Sequence, residues 1–164
     1  MSSTTPRTIV IAINPKADET KHTLQWAIDN FLNPDRDSVQ LVAALCLESD
    51  LDAISLGINA GDLAGYLVGL EEENEGEITN LISQYAALLS AAHINHESVI
   101  LKGHTDVRDI VVNYINDLKA HTLIVGSRDL GVWKRLWLGS FSDFCVHSVH
   151  CPVIVVKSPD AEEQ

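Results

Sequence analysis

Basic residues are scarce in this chain, which has 11 Lys and Arg against 23 Asp and Glu and a formal net charge of −12. Nucleic acids and anionic membranes are usually bound by extended basic surfaces. The composition therefore excludes a general nucleic-acid or membrane binder. It is still compatible with a small anionic ligand held in one local pocket.

Cysteines and long apolar runs are scarce as well. Three cysteines are too few, and odd in number, for a disulfide scaffold. No run of about 18 apolar residues is free of charge, and the amino terminus lacks the basic start and apolar core of a signal peptide. We therefore predict a cytoplasmic protein. Its length of 164 residues, of which 46% are hydrophobic, predicts one domain with its core in residues 8–157 and flexible tails at 1–7 and 158–164.

Short apolar runs rich in β-branched residues recur along the sequence. They predict five strands, at Thr8–Ile13, Val39–Leu47, Glu97–Leu101, Thr122–Val125 and Pro152–Val156. Continuous apolar runs of this kind are typical of strands buried on both faces of a parallel sheet.

Apolar stripes with helical spacing lie between these runs. They cover Leu24–Leu32, with Asp18 as the expected N-cap, then Ile78–Leu89 and Val107–Leu118. A further helix is expected to begin at Ser140, with Asp143 as its capping-box partner. The alternation of strands and helices predicts an α/β fold with one open, doubly wound sheet and helices on both faces.

The segment Leu51–Glu77 fits this alternation least well. Four glycines recur every four residues, and a helix would place all of them on one face, suited to close packing against a helix or a partner chain: Gly57, Gly61, Gly65 and Gly69. Because each glycine in a helix costs about 1 kcal/mol relative to alanine, the favoured interpretation is a variable, mobile excursion. The acidic run 71–77 is then interpreted as the solvated start of the following helix.

The stretch Val125–Cys151 carries the strongest functional signal. Gly126 follows a predicted strand, and Gly139 precedes a predicted helix whose free N–H groups suit a phosphate. Arg128, Lys134 and Arg135 add a local basic patch. The alternative is a loop that binds nothing, since glycines before a helix are common, and neither a P-loop nor a G-x-G-x-x-G pattern is present.

This stretch resembles the nucleotide-binding signature of the universal stress protein family, G-x2-G-x9-G-[S/T], with Gly126, Gly139 and Ser140 at matching spacing. The sequence GSFSDFCVHSVHCPVIVVK is similar to the eukaryotic and plant-type version, and the resemblance extends over about Thr8 to Lys157. It implies five parallel strands in the order 3-2-1-4-5, a homodimer, and binding of ATP or AMP, with or without Mg²⁺.

The resemblance also implies which residues surround the nucleotide. Adenine would be bordered by Ala12, Asn14 and Leu45, and ribose by Val125, Gly126 and Gly139. The phosphates would be taken by Ser140, Phe141 and Ser142, with Arg128 and Asp129 in the same signature loop.

Two positions depart from the family pattern. Asn14 stands where Asp is usual, which keeps hydrogen-bonding capacity but loses a charge. Asp129 replaces the second signature glycine and sets a carboxylate beside the phosphate path. Three functions stay open: a nucleotide-binding sensor or switch that acts in a stress response through dimer and partner contacts, a nucleotide-free interaction protein whose pocket Asp129 closes, and a slow ATPase. We favour the sensor and rank the slow ATPase last, because no obvious general base has a partner that would hold it.

Other clusters of reactive residues carry a weaker signal. Cys145, His147, His150 and Cys151 have a zinc-like composition, but on a helix Cys145 and His147 would lie about 200° apart, so no metal site is expected. His104, Asp106 and Arg108 follow the third strand near the expected cleft. Without a paired nucleophile they are interpreted as loop and helix-start residues.

The last strand is apolar and would lie at an edge of the sheet. An edge strand presents unpaired backbone groups that invite association. We therefore predict a homodimer through four exposed residues of this strand, Val153, Ile154, Val155 and Val156.

Overall fold

One parallel sheet forms the centre of the computed structural model, which describes residues 5–46, 60–127 and 139–158. Its strands are β1 (Arg7–Ala12), β2 (Asp37–Cys46), β3 (Asn95–Gly103), β4 (Thr122–Ser127) and β5 (Val153–Lys157). They lie in the order β3-β2-β1-β4-β5, and every neighbouring pair is parallel. The predicted fold and strand order are confirmed. Strand order reverses between β1 and β4, where open α/β sheets bind their ligands.

Four helices cover the two faces of the sheet: α1 (Glu19–Asn30), α2 (Ala60–Ala91), α3 (Val107–Leu118) and α4 (Ser140–Ser148). On β1, the side chains of Ile9 and Ile11 belong to the core cluster of α1 and α2, whereas Val10 belongs to that of α3 and α4. All three are fully buried. Because both faces are covered, the strand sequence is a continuous apolar run without polar alternation. Among the described helices, none has the length and apolarity that a bilayer span requires.

Two helices begin where the sequence predicted, α1 after Asp18 and α4 at Ser140, but their capping interactions differ from the prediction. Asp18 occupies the N-cap position of α1, but its side chain makes no capping hydrogen bond. The N-cap of α4 is Gly139 rather than Ser140, so the predicted Ser140–Asp143 capping box is wrong. The reason is that the Gly139 carbonyl accepts both the Asp143 N–H, at 2.9 Å, and the Ser142 hydroxyl, at 3.0 Å. The first turn of α4 is therefore held by hydrogen bonds to the backbone of Gly139 rather than to the side chain of Ser140.

Helix α2 begins at Ala60 and includes Gly61, Gly65 and Gly69. The interpretation of the acidic run 71–77 as a helix start is wrong, because the run lies inside this helix. Once a helix is nucleated, each added residue gains one hydrogen bond, and the Leu and Ala residues between the glycines and the Glu residues after them are good helix formers. The part of the predicted excursion that contains Gly57 lies outside the described residues.

A buried ion pair joins β1 to β2 at the amino ends of the strands. Arg7 and Asp37 face each other in the strand register, and the guanidinium donates to both carboxylate oxygens, at 2.8 and 2.7 Å. The Asn33 N–H donates to the same carboxylate at 2.9 Å. Burial opposes ionisation of Asp37, but the hydrogen bonds from Arg7 and Asn33 prevail, and its pKa is lowered from the ordinary value.

The edge strand β5 is less exposed than the sequence predicted. Val153, Ile154 and Val155 are half-buried, whereas Val156 is only 5% exposed and belongs to the core. The prediction that Val156 is exposed is therefore wrong. Its side chain lies on the face of the sheet that α1 and α2 cover.

Candidate functional site

A cleft of about 600 Å³ opens at the carboxyl ends of β1, β2 and β4. It is lined by every described residue that the family resemblance assigned to a nucleotide: Ala12, Asn14, Leu45, Val125, Gly126, Gly139, Ser140, Phe141 and Ser142. Arg128 and Asp129 lie outside the described residues. The fold thus brings together residues that are up to 130 positions apart in sequence, in a space suited to a small ligand.

Other cleft residues were not assigned to the site by the sequence reasoning. They come from β2, from α1 and the loop before it, from α2, and from the start of α3: Ile13, Pro15, Lys16, Glu19, Thr20, Thr23, Val42, Ala44, Asn74, Ile78, Val107, Arg108 and Val111. Of these, Arg108 was expected near the cleft because it follows β3, and the loops after parallel strands meet at the same edge of the sheet. The sequence analysis assigned it no binding function and interpreted it as a helix-start residue.

The loop after β1 is held by Asn14. Its side-chain oxygen accepts the Lys16 N–H at 3.2 Å, and its carbonyl accepts the Thr20 hydroxyl at 2.6 Å. An aspartate could accept the first of these bonds equally well, so the loop does not require the charge. The difference is that Asn14 also carries an NH₂ group, which can donate to an acceptor in the cleft.

Gly126 allows the end of β4 to lie against α1. A Cβ at this position would stand 2.6 Å from the Thr23 hydroxyl oxygen and 3.3 Å from Cγ of Glu19. Cβ atoms essentially never approach another atom as closely as 2.6 Å. The space beside Gly126 is therefore taken by α1, the helix that forms the cleft wall, and this packing alone requires glycine.

The first turn of α4 faces the cleft opposite this wall. Its N-cap, Gly139, is extended (φ −60°, ψ 154°) and provides no side-chain cap, so the N–H groups of the first turn lack intrahelical acceptors. Ser140 is exposed, whereas Ser142 is 1% exposed and its hydroxyl is bonded to the Gly139 carbonyl. An anion here would meet backbone N–H groups and the Ser140 hydroxyl.

Each cation of the described cleft wall is paired with a carboxylate. Lys16 Nζ lies 2.7 Å from an oxygen of Glu77, on α2. Arg108 donates to both carboxylate oxygens of Asp106, at 3.0 and 2.7 Å. These hydrogen bonds lower the pKa of the exposed Asp106 to about 2, so this pair stays ionised at neutral pH.

The zinc-like cluster does not converge in the structure. Cys145 is fully buried in the core, whereas His147 is exposed and bonded to the Asp143 carbonyl at 2.8 Å. Burial raises the pKa of the Cys145 thiol to about 11. Within residues 5–46, 60–127 and 139–158, no three His, Cys, Asp or Glu residues are placed to hold a metal ion together.

The sequence of residues 5–157 matches the model of the universal stress protein family, and the chain belongs to this family. PHOS32, a universal stress protein of Arabidopsis thaliana, is 28% identical over 162 residues, which cover 94% of this chain and 66% of the relative. The chain thus spans about 66% of the length of this curated relative.

Two solved structures share the fold. An Arabidopsis thaliana protein of the universal stress protein family, with AMP bound, matches with a TM-score of 0.63 and 18% identity over 97% of each chain. The universal stress protein of Archaeoglobus fulgidus in complex with dAMP matches with a TM-score of 0.61 and 18% identity, over 94% of this chain and 98% of that chain. At this level of identity the likeness shows the fold alone.

Proposed function

We propose that this protein binds an adenine nucleotide, ATP or AMP, in the cleft and acts in the cytoplasm as a sensor or switch in a stress response. The observation that carries the proposal is the convergence of the nine described signature and strand-end residues in a single cleft. Proteins of the same fold bind AMP and dAMP. The output of such a sensor would be a contact with a protein partner rather than turnover.

The arrangement of the cleft suits the parts of a nucleotide. Adenine would lie between the ends of β1 and β2, where Ala12 and Leu45 are apolar and Asn14 offers a donor. Ribose would lie beside Val125 and Gly126. The phosphates would bind at the first turn of α4, because its N–H groups have no acceptor within the helix and the positive end of the helix dipole favours an anion.

Binding should respond to the charge of Asp129 if the signature loop borders the phosphates. Replacing Asp129 by glycine is expected to tighten binding most for ATP, less for AMP and little for adenosine, since phosphate charge falls in that order. Mg²⁺ should reduce the difference, because a bound cation offsets the repulsion. Titration calorimetry of the full chain with the three ligands, with and without Mg²⁺, measures this.

The same titrations decide between the functions left open by the sequence. If neither the parent protein nor Asp129→Gly binds any of the three ligands, the proposal is wrong and the interaction-protein function stands. If Asp129→Gly binds ATP more weakly than the parent, Asp129 is a ligand for nucleotide or metal, and a slow ATPase becomes the better description.

The proposed switch includes a homodimer formed through β5. This strand pairs only with β4 and leaves its other edge open within the described residues, while Val153, Ile154 and Val155 are half-buried. Light scattering at micromolar concentration should report a dimer, and Val155→Asp should yield a monomer that still melts cooperatively. Ser98→Asp, the same charge on the opposite edge strand β3, is the matched control and should stay dimeric. A monomeric parent protein would refute the dimer.

A further inference from the structure

The guanidinium of Arg108 is held in a fixed position at the wall of the cleft. Two side-chain hydrogen bonds to Asp106 fix the plane of the group, and the same carboxylate accepts the Arg108 N–H at 2.8 Å as the N-cap of α3. The guanidinium carbon also lies 5.2 Å from the centre of the Phe144 ring, on α4. Such stacking orients an arginine further.

The position of Arg108 relative to α4 is fixed from the other end of the helix pair as well. Asn116, near the end of α3, donates to the Ser148 carbonyl at 3.2 Å and accepts the His150 N–H at 3.0 Å. Both ends of α3 therefore contact α4 or the residues that follow it. Phe144 stands one helical turn after Ser140, so the guanidinium lies close to the first turn of α4, which lines the same cleft.

Arg108 retains hydrogen-bonding capacity toward a ligand. A guanidinium has five N–H donors, and the two bonds to the side chain of Asp106 use two of them. The Arg108 side chain is 43% exposed and lines the cleft. Because Asp106 balances its charge, the attraction to an anion would come from directed hydrogen bonds rather than from net charge. Planar, paired donors of this kind match the oxygens of a phosphate.

We propose that Arg108 binds the phosphates of the nucleotide from the α3 side of the cleft, beside the first turn of α4, and so makes affinity increase with the number of phosphates. This inference rests on the proposed nucleotide-binding function and assigns a residue outside the glycine signature to it. Lys16, the other cation of the described cleft wall, has a single contact with Glu77 and is half-exposed. It therefore lacks the fixed geometry that Arg108 has.

The test compares ATP, AMP and adenosine binding in the parent protein, Arg108→Gln and Arg108→Lys by titration calorimetry. Arg108→Gln is expected to weaken ATP binding roughly tenfold, AMP binding less, and adenosine binding not measurably. Arg108→Lys should recover only part of the loss, because lysine keeps the charge but lacks the planar pair of donors. The matched control is Lys102→Gln, which removes an exposed, ion-paired cation outside the cleft lining and should leave the ratio of ATP to adenosine affinity unchanged.

Four outcomes would overturn the inference. An equal loss for all three ligands, accompanied by a lower Tm, would show that Arg108 only supports the fold of the cleft. Full recovery in Arg108→Lys would show that charge, not the planar donor pair, matters. Unchanged ATP affinity in Arg108→Gln would refute the proposed contact of Arg108 with the phosphates and leave the proposed function intact. A parent protein that binds none of the ligands would refute the proposed function, and the inference with it.

Discussion

Replacing Asp37 by alanine is expected to destabilise the protein by about 3 kcal/mol, near the lower end of the cost of breaking a buried ion pair. The carboxylate is fully buried, whereas Arg7 is 23% exposed and can recover some hydration. The substitution also removes the carboxylate that lies 3.6 Å from the buried Nε of Arg36. Urea unfolding at pH 7 measures the change.

The cost of this substitution should depend on pH in one direction. Because the pKa of Asp37 is lowered in the folded protein, its contribution to stability is complete above the unfolded value of about 3.9 and is lost as pH falls through the folded value. The difference between the parent protein and Asp37→Ala should therefore shrink below about pH 4. Asp35→Ala, an exposed aspartate of the same turn, is the control and should cost little. An Asp37→Ala protein as stable as this control would contradict the account.

Substitution of Gly126 is expected to have the largest effect on the cleft. Gly126→Ala forces a Cβ against the Thr23 hydroxyl and should destabilise the protein by about 1–3 kcal/mol, as overpacking does. Gly126→Asp adds a second carboxylate beside Glu19 and should abolish nucleotide binding altogether. Thermal unfolding and calorimetric titration with AMP measure the two effects.

A double substitution separates this clash from a general intolerance at Gly126. Thr23→Ala removes the oxygen at 2.6 Å and leaves Cγ of Glu19, at 3.3 Å, as the closest atom. Gly126→Ala should consequently cost less in the Thr23→Ala background than in the parent protein, a coupling that a double-mutant cycle reports. If the two costs simply add, the contact with Thr23 does not explain the glycine.

The sheet could be predicted from the sequence because a central strand that is buried on both faces consists of a continuous apolar run. The runs at Thr8–Ile13 and Thr122–Val125 each overlap a strand of the structure. The ion pair of Arg7 and Asp37 could not be predicted in this way. Two charged residues at strand ends form a pair only once β1 and β2 lie in register, and sequence patterns do not specify that register.

The residues of the candidate site likewise fall into two groups, those that a local sequence pattern located and those whose place depends on packing. The signature pattern located Gly126, Gly139 and Ser140, because their spacing is local and the family resemblance supplies their context. It did not locate Thr23, and it gave Arg108 no binding function, because the places of both side chains in the cleft depend on how α1 and α3 pack on the sheet. The contact that requires glycine at 126 could not be predicted either: a glycine after a strand indicates a close approach, but only the packing shows that α1 lies there.

Helix α2 extends well beyond the cleft that it helps to line. Ile78 and Ile82 pack in the core, and Asn74 and Ile78 line the cleft, while the helix begins at Ala60. At 1.5 Å per residue, Ala60 lies about 27 Å along the axis from Ile78. A tilt of about 10° around Ile78 would therefore move the far end by about 5 Å. The same tilt would move Asn74, four residues from Ile78, by only about 1 Å, so a small displacement at the cleft wall corresponds to a several-fold larger one at Ala60.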